Sequence, residues 1–291
     1  MFRSIARELS NEKLLLRLTT HYRDRRPRRE HSALIHVPTA PWAHPVFDLA
    51  AWASGAAVGV ALYRWRLAER LAFVARVAGP GYFISLAAGA GVGAWLSGSL
   101  NTLRQGAPAL SHSVVGALVG AIAAVELYKT VRGVRGSTGG LFVGSFATGI
   151  VVGRWGCLFT GLPDRTYGTP TALPWGVDLG DGVPRHPVQI YESLAMAALL
   201  AVYVLGLAVR APWAMRRGFY VLCAWYGTQR FVWEFLKPYP TVLGPFNLFH
   251  LLCGGLVVYG VGYYLRDLAD ARAGRPEDGA LSVPWPDHQP L

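Results

Sequence analysis

Three charged residues sit in stretches otherwise too apolar to hold charge. Arg154 lies in "FATGIVVGRWGCLFTG" (146–161), with apolar residues on both sides. Arg230 and Glu234 lie four apart in "WYGTQRFVWEFLKPYP" (225–240), a spacing that projects both from one helix face. An arginine inside a bilayer costs about 2.5–3.5 kcal/mol on insertion scales, so each guanidinium must face a partner or a polar cavity. Arg230 and Glu234 can pair with each other. That pairing leaves Arg154 without a partner, and two guanidinium groups in one cavity repel. An anion resolves the repulsion, and the fork of arginine donors matches phosphate. In a bilayer the phosphate at hand belongs to a lipid headgroup.

A long polar connection adds further chemistry: "GLPDRTYGTPTALPWGVDLGDGVPRHPVQIYESL" (161–194). Its glycines and prolines predict defined turns rather than helix. It carries Asp164, Tyr167, Asp178, Asp181, Arg185 and His186, then enters a helix with Gln189, Tyr191 and Glu192. Connections of this length inside compact domains are more often functional than passive. His186 is of a type that can accept a proton; a histidine before a proline is equally a turn residue.

The elements that must position these groups are membrane spans. Only 15% of the residues are charged and 52% are hydrophobic, whereas soluble domains carry about a quarter charged residues. The apolar residues come in seven blocks, at roughly 45–63, 81–100, 110–128, 139–162, 188–209, 218–236 and 242–265. Each is long enough for the ~20 residues a bilayer requires. "YFISLAAGAGVGAWLSGSL" (82–100) contains no charge at all. A soluble helical core would need polar faces, which these blocks mostly lack. The expectation is an all-α polytopic membrane protein of seven transmembrane helices. It comprises a basic N-terminal tail (1–44), a membrane domain (45–265) and a disordered C-terminal tail (266–291).

Lysines and arginines set the orientation. With the N-terminus outside, the inside segments 64–79, 129–138, 210–217 and the tail after 265 hold thirteen positive residues. The outside loops hold four: Arg104, Arg165, Arg185 and Lys237. This predicts N-out/C-in, with the long connection between helices four and five outside. The tail sequence "HYRDRRPRRE" (21–30) pulls the other way. It suits a disordered basic tail or an anionic membrane surface. No uninterrupted apolar core or small-residue cleavage pattern marks a signal peptide there.

Cys157, Cys223 and Cys253 fall in three different blocks with no C-x-x-C pair, so neither a zinc site nor a disulfide framework is suggested. Cys223 and Cys253 read as small buried hydrophobes; Cys157 lies one helical turn from Arg154. Gly116 and Gly120, at G-x-x-x-G spacing, and Gly89, Gly91 and Gly93 predict close helix packing.

Four motifs in order, "GRWGCLFTG", "YGTPT…LPWGV", "PRHPVQIYE" and "YGTQRFVWEF", resemble the prolipoprotein diacylglyceryl transferase family over about residues 45–265. The resemblance implies a seven-helix protein of the bacterial inner membrane, N-terminus outside. Such a protein moves a diacylglyceryl group from phosphatidylglycerol to the thiol of a lipobox cysteine in a lipoprotein precursor. It implies no metal or organic cofactor, no nucleic-acid partner and a monomer. The family's essential arginines correspond to Arg154 and Arg230, and its following glutamate to Glu234. Gly168 corresponds to the glycine after the loop aromatic, Tyr167. Arg185, His186, Gln189, Tyr191 and Glu192 meet the R-H-P-x-Q-x-Y-E signature.

The departures fall on the acid/base half. Val115 occupies the place of a family histidine, and His112, about one turn earlier, is the candidate substitute. Cys157 stands where the family has asparagine. Leu162 replaces a family acid, with Asp164 nearby. The catalytic candidates are therefore Arg154, Arg230, Glu234, His112 and His186. The substrate-binding candidates are Arg185, Gln189, Tyr191, Glu192, Gly168, Tyr167 and Asp164. Two functions compete: a transferase, on lipoprotein precursors or another acceptor, and a non-catalytic lipid-binding or transport protein on the same fold.

Overall fold

A computed structural model describes residues 35–106, 108–134 and 136–273, with backbone only over 69–78. The expectations for the N-terminal tail through residue 34 and for the C-terminal tail from 274 lie outside the described residues. The chain divides into two units, Met1–Ile35 and His36–Leu291; the architecture below is that of the second.

Among the described residues, seven long helices appear in the order of the seven apolar blocks: α1 (Ala43–Leu62), α2 (Ala68–Arg104), α3 (Val114–Val131), α4 (Phe142–Thr160), α5 (Val188–Ala208), α6 (Pro212–Glu234) and α7 (Leu248–Arg272). Six helical stretches among the described residues are long and apolar enough to cross a membrane: Ala43–Leu67, Gly79–Arg104, Val114–Val131, Gly139–Thr160, Val188–Ala208 and Leu248–Arg272. The stretch that falls short is α6, which carries Arg216, Arg217, Arg230 and Glu234.

Several boundaries differ from expectation for local reasons. The predicted inside loop 64–79 is helical. A π turn, Tyr63–Leu67, joins α1 to α2. The break comes instead at Gly79 (φ 53°, ψ 176°), just before Pro80. Only glycine adopts that φ without a Cβ penalty, and proline removes a backbone donor. Arg216 and Arg217, expected in a loop, lie in the first turns of α6. There the buried Arg217 pairs with Asp267 of α7 at 2.6 Å. The last apolar block begins as a hairpin rather than a helix. Its strands precede α7, which starts at Asn247 with a capping box closed by His250. α7 then runs to Arg272, past the expected end at 265.

The helices pack in antiparallel neighbours: α1 on α4, α2 on α3, α4 on α5 and α6 on α7. Their shared core includes Val115, Val143, Ala147, Met196 and Leu222. Cys223 and Cys253 are fully buried small groups, as expected. The glycine-rich faces of α2 and α3 meet backbone to backbone. A Cβ on Gly93 would lie 2.2 Å from the Gly116 carbonyl oxygen, and one on Gly120 2.2 Å from that of Gly89. Neither contact can be met without parting the helices. Gly120→Ala is therefore expected to destabilise the fold by about 1–3 kcal/mol, the usual range for overpacking. A thermal melt in detergent that leaves the midpoint unmoved would contradict this packing.

The connection between α4 and α5 is ordered. It holds a short turn (Leu162–Asp164) and a hairpin of β1 (Val177–Asp178) and β2 (Pro184–Arg185). The backbone N–H of Val37 donates to the Asp178 carbonyl at 3.0 Å, so the chain before α1 runs beside the hairpin. A second hairpin, β3 (Thr241–Leu243) and β4 (Phe246–Asn247), caps the space between α6 and α7.

Candidate functional site

The carboxylate of Glu192, in the first turns of α5, is fully buried and gathers three cations. Arg154 of α4 approaches with Nε at 2.6 Å, and Arg230 of α6 with Nη1 at 2.5 Å. Lys237, just past α6, donates through Nζ at 2.8 Å. Glu234 extends the cluster. It lies 2.8 Å from Arg230 Nε and accepts from Asn247 Nδ2 at 3.2 Å. The Arg230 Nε contact is at ion-pair distance without hydrogen-bond alignment. Buried charges survive only when paired in this way. Three cations against two carboxylates (Arg154, Arg230, Lys237; Glu192, Glu234) leave one surplus positive charge.

This corrects the expectation that Arg154 has no carboxylate of its own and needs an anion to relieve repulsion. Glu192, expected as a substrate-binding residue, is the hub that relieves it. The pairing of Arg230 with Glu234 is as the four-residue spacing predicts. The surplus still leaves the cluster attractive to an anion. Burial, and then Arg230, pull the Lys237 ammonium below its ordinary pKa, against the two carboxylates. Arg154 keeps 8% side-chain exposure. Among the described residues, the buried atoms without a hydrogen-bond partner include Tyr226 Oη and Gln189 Nε2. Tyr226 lies four residues before Arg230, on the same face of α6. Spacing alone could have flagged Tyr226, which belongs to the same "YGTQRFVWEF" motif. Lys237 and Asn247 carried no such signal.

The other candidates divide by role. Arg185 is held by Asp181, with 2.6 and 2.8 Å contacts, and lies over the Tyr167 ring at 5.2 Å. Asp178 Oδ1 accepts the N–H groups of Gly180, Asp181 and Gly182 at 2.8–3.1 Å. These residues build the hairpin. A Cβ on Gly168 would lie 2.3 Å from the His186 carbonyl oxygen, which explains a glycine there. His186 Nδ1 is 3.5 Å from Tyr191 Oη, which also accepts from Trp175 Nε1 at 2.8 Å. His112 is exposed and makes no hydrogen bond or ion pair among the described residues. Val115, at the family histidine's place, is buried in the core. His112 thus does not join the cluster, because it lies in the extended run before the Ser113 N-cap and not on α3. An apolar cavity of about 200 Å³, lined by Tyr82, Phe142, Phe146, Phe219 and Tyr259, lies toward the opposite end of α4 from Arg154.

The hairpin carries a pH dependence. The Arg185 contact holds Asp181 below the ordinary carboxylate range, and backbone N–H groups and His36 do the same for Asp178 against desolvation. A carboxylate with a depressed folded pKa contributes stability above its unfolded value, about 4, and loses it as pH falls through the folded value. Amide exchange over 177–186, corrected for intrinsic rates, is expected to be slow at pH 6 and to accelerate below about pH 4. Unchanged protection at pH 3 would contradict it.

Beside Arg154 stands a group that sequence reasoning missed. His44, in the first turn of α1, places Nε2 3.0 Å from Asp164 Oδ1 and Nδ1 2.8 Å from Asp48 Oδ2. Cys157 Sγ lies 4.0 Å from His44 Nε2 and 3.8 Å from Arg154 Nη1. Residues 44, 157 and 164 meet because α1 packs along α4, and no local spacing announces that.

Helices long and apolar enough to span a bilayer, with a buried arginine–glutamate cluster at one end, define a polytopic membrane protein with an anion-attracting site. A family model for prolipoprotein diacylglyceryl transferase matches residues 51–266, and the chain belongs to that family. It is similar to proteins named phosphatidylglycerol–prolipoprotein diacylglyceryl transferase. That of Finegoldia magna is 32% identical over 42% of this chain and 47% of its own length. That of Methylococcus capsulatus is 29% identical over 50% of this chain and 57% of its own. That of Cupriavidus metallidurans is 35% identical over 33% of this chain and 35% of its own. The chain spans about half or less of the length of most of these relatives.

Proposed function

We propose that this protein transfers a diacylglyceryl group from phosphatidylglycerol to the cysteine thiol of a lipoprotein precursor. The observation that carries the reading is the meeting of Arg154 and Arg230, from separate helices, on one buried carboxylate with a positive charge to spare. The headgroup phosphate would sit against the open side of Arg154, with Tyr226 and Gln189 as further donors. Glu192 and Glu234 hold the two guanidinium groups in place. The thiolate sulfur forms a bond to the glyceryl carbon, and the bond from that carbon to the phosphate ester oxygen breaks. The electron pair leaves on glycerol phosphate, where fixed cations in a dry site stabilise it. The thiol must first lose its proton, because the thiolate is the nucleophile.

The same reading places the protein in a bacterial inner membrane as a monomer of seven spans, N-out/C-in. α6 then crosses as well, completing the seven, with Arg230 paired to Glu192 of α5 and Arg217 to Asp267 of α7 rather than facing lipid. The ordered hairpin between α4 and α5 faces outward, where lipoprotein precursors arrive. The test is complementation of a bacterial strain depleted of its own transferase, with mass spectrometry of a lipoprotein. Rescue with a diacylglyceryl thioether on the lipobox cysteine is expected. Lipid binding by the purified protein without rescue or in vitro transfer would favour the non-catalytic reading.

A further inference from the structure

Asn247 sits where the second hairpin becomes α7, and its amide is committed at both ends. The side-chain Oδ1 accepts the backbone N–H of His250 at 3.0 Å, and the Asn247 backbone N–H donates to His250 Nδ1 at 3.0 Å. Asn247 also closes β4 against Thr241 of β3, whose carbonyl accepts from Arg104 Nη2 at 2.8 Å. The rings of Phe231, Phe235 and Phe246 surround the His250 ring, with centroids 4.8, 4.3 and 5.5 Å away, and lock the capping box in place. With Oδ1 used by the cap, the amide donor Nδ2 is left over, and it donates to Glu234 Oε2 at 3.2 Å. Asn247, His250 and Glu234 are all buried.

The cap alone does not call for asparagine. Aspartate and serine cap a helix about as well. What asparagine adds is a donor beside the acceptor. Glu234, which receives that donor, is the last residue of α6. The terminal torsion of a glutamate is broad, so an outside partner must set the plane of its carboxylate. Asn247 takes Oε2, which turns Oε1 toward Arg230 Nε at 2.8 Å and Lys237 Nζ at 3.4 Å. Glu192 grips Arg230 from the other side, through Nη1. The guanidinium plane is fixed only while both carboxylates are.

We propose that Asn247 is a positioning residue for the arginine–glutamate site: one amide caps α7 and sets the Glu234 carboxylate that aims Arg230. Its effect on transfer rests on the transferase reading; its effect on anion binding at the cluster does not. Asn247→Ser keeps the cap and the charge but loses the reach to Glu234. Asn247→Asp keeps the cap, loses the donor and cancels the surplus positive charge. The bond can also be reversed. In Asn247→Asp/Glu234→Gln the new amide donates to the new carboxylate, its oxygen still faces Arg230, and the net charge of the cluster is unchanged.

The full chain, purified in detergent, is compared with these variants by three measurements. They are kcat for transfer of labelled diacylglyceryl to a lipobox peptide, affinity for dihexanoyl phosphatidylglycerol by calorimetry, and melting midpoint. Asn247→Ser is expected to lower kcat about 10–100-fold, the scale of misplacing a group by about an ångström. Its affinity should fall by less, about threefold, since Arg154 still receives the phosphate. Asn247→Asp should also weaken affinity about tenfold or more, because the surplus charge is gone. The double variant should recover most of both losses, which a merely structural defect would not do. Ser113→Ala removes the N-cap of α3, which holds none of these groups, and should lower the midpoint without lowering kcat. Wild-type kcat in Asn247→Ser, or a double variant no better than Asn247→Asp, would overturn the positioning role. If the wild type binds phosphatidylglycerol but transfers nothing, the transferase reading fails and the affinity of Asn247→Ser decides: a fall sustains the role, and equality overturns it. A wild type that neither binds nor transfers overturns both.

Discussion

Arg154→Ala is expected to lower transfer of labelled diacylglycerol to a lipobox peptide by about a thousandfold or more while leaving the protein folded. Removing one fixed donor from a developing oxyanion commonly costs 10²–10³ in rate, and a guanidinium supplies charge as well as a donor. The fold is spared for a reason visible in the cluster. Arg154, Arg230 and Lys237 outnumber Glu192 and Glu234 by one charge. Losing Arg154 therefore leaves a neutral cluster, with Glu192 still bound by Arg230 and Lys237. Arg154→Lys keeps the charge but loses the planar fork, so an intermediate rate is expected. His112→Ala should cost less than Arg230→Ala, because His112 is exposed and contacts none of these groups. The measurements are transfer rate and melting midpoint on the same detergent preparation. Full activity in Arg154→Ala would remove Arg154 from the reaction.

The split between what was legible and what was not follows the range of the interactions. Apolar blocks of span length are local, so the order of the helices could be read directly, and Arg154, Arg230 and Glu234 stood out as charges inside them. The four-residue step from Arg230 to Glu234 is fixed by helix geometry, and the pair forms. The continuous passage from α1 into α2 was hidden because Arg64, Arg66, Arg70 and Arg76 look like a loop in a hydropathy profile, although arginine is a good helix former. The start of α6 at Pro212 was hidden likewise, since the partner that buries Arg217 is Asp267, fifty residues away. The same distance effect governs the site. Glu192 read as one more polar residue at the start of a helix; only the packing of α4 and α6 on α5 makes it the common partner. His44 carried no motif at all, and it meets Cys157 and Asp164 only through the contact of α1 with α4.

Glu192 should therefore be the residue whose loss the fold tolerates least. Glu192→Ala leaves Arg154, Arg230 and Lys237 facing Glu234 alone, a buried excess of two positive charges. Removing one partner from a buried ion pair typically costs about 3–5 kcal/mol, against a total stability of about 5–15 kcal/mol in an ordinary domain. Glu192→Gln keeps the shape and one acceptor, so it isolates the charge. Both single variants are expected to lower the melting midpoint sharply and to lose transfer. If uncompensated charge is the cause, Arg154→Gln placed on top of Glu192→Gln should restore part of the lost stability, because the excess falls from two charges to one. It should restore no transfer, because the phosphate has lost its guanidinium. A double variant that melts at the sum of the two single losses would show that Glu192 and Arg154 act independently, and their 2.6 Å contact would not be what holds α4 to α5 at this end of the bundle.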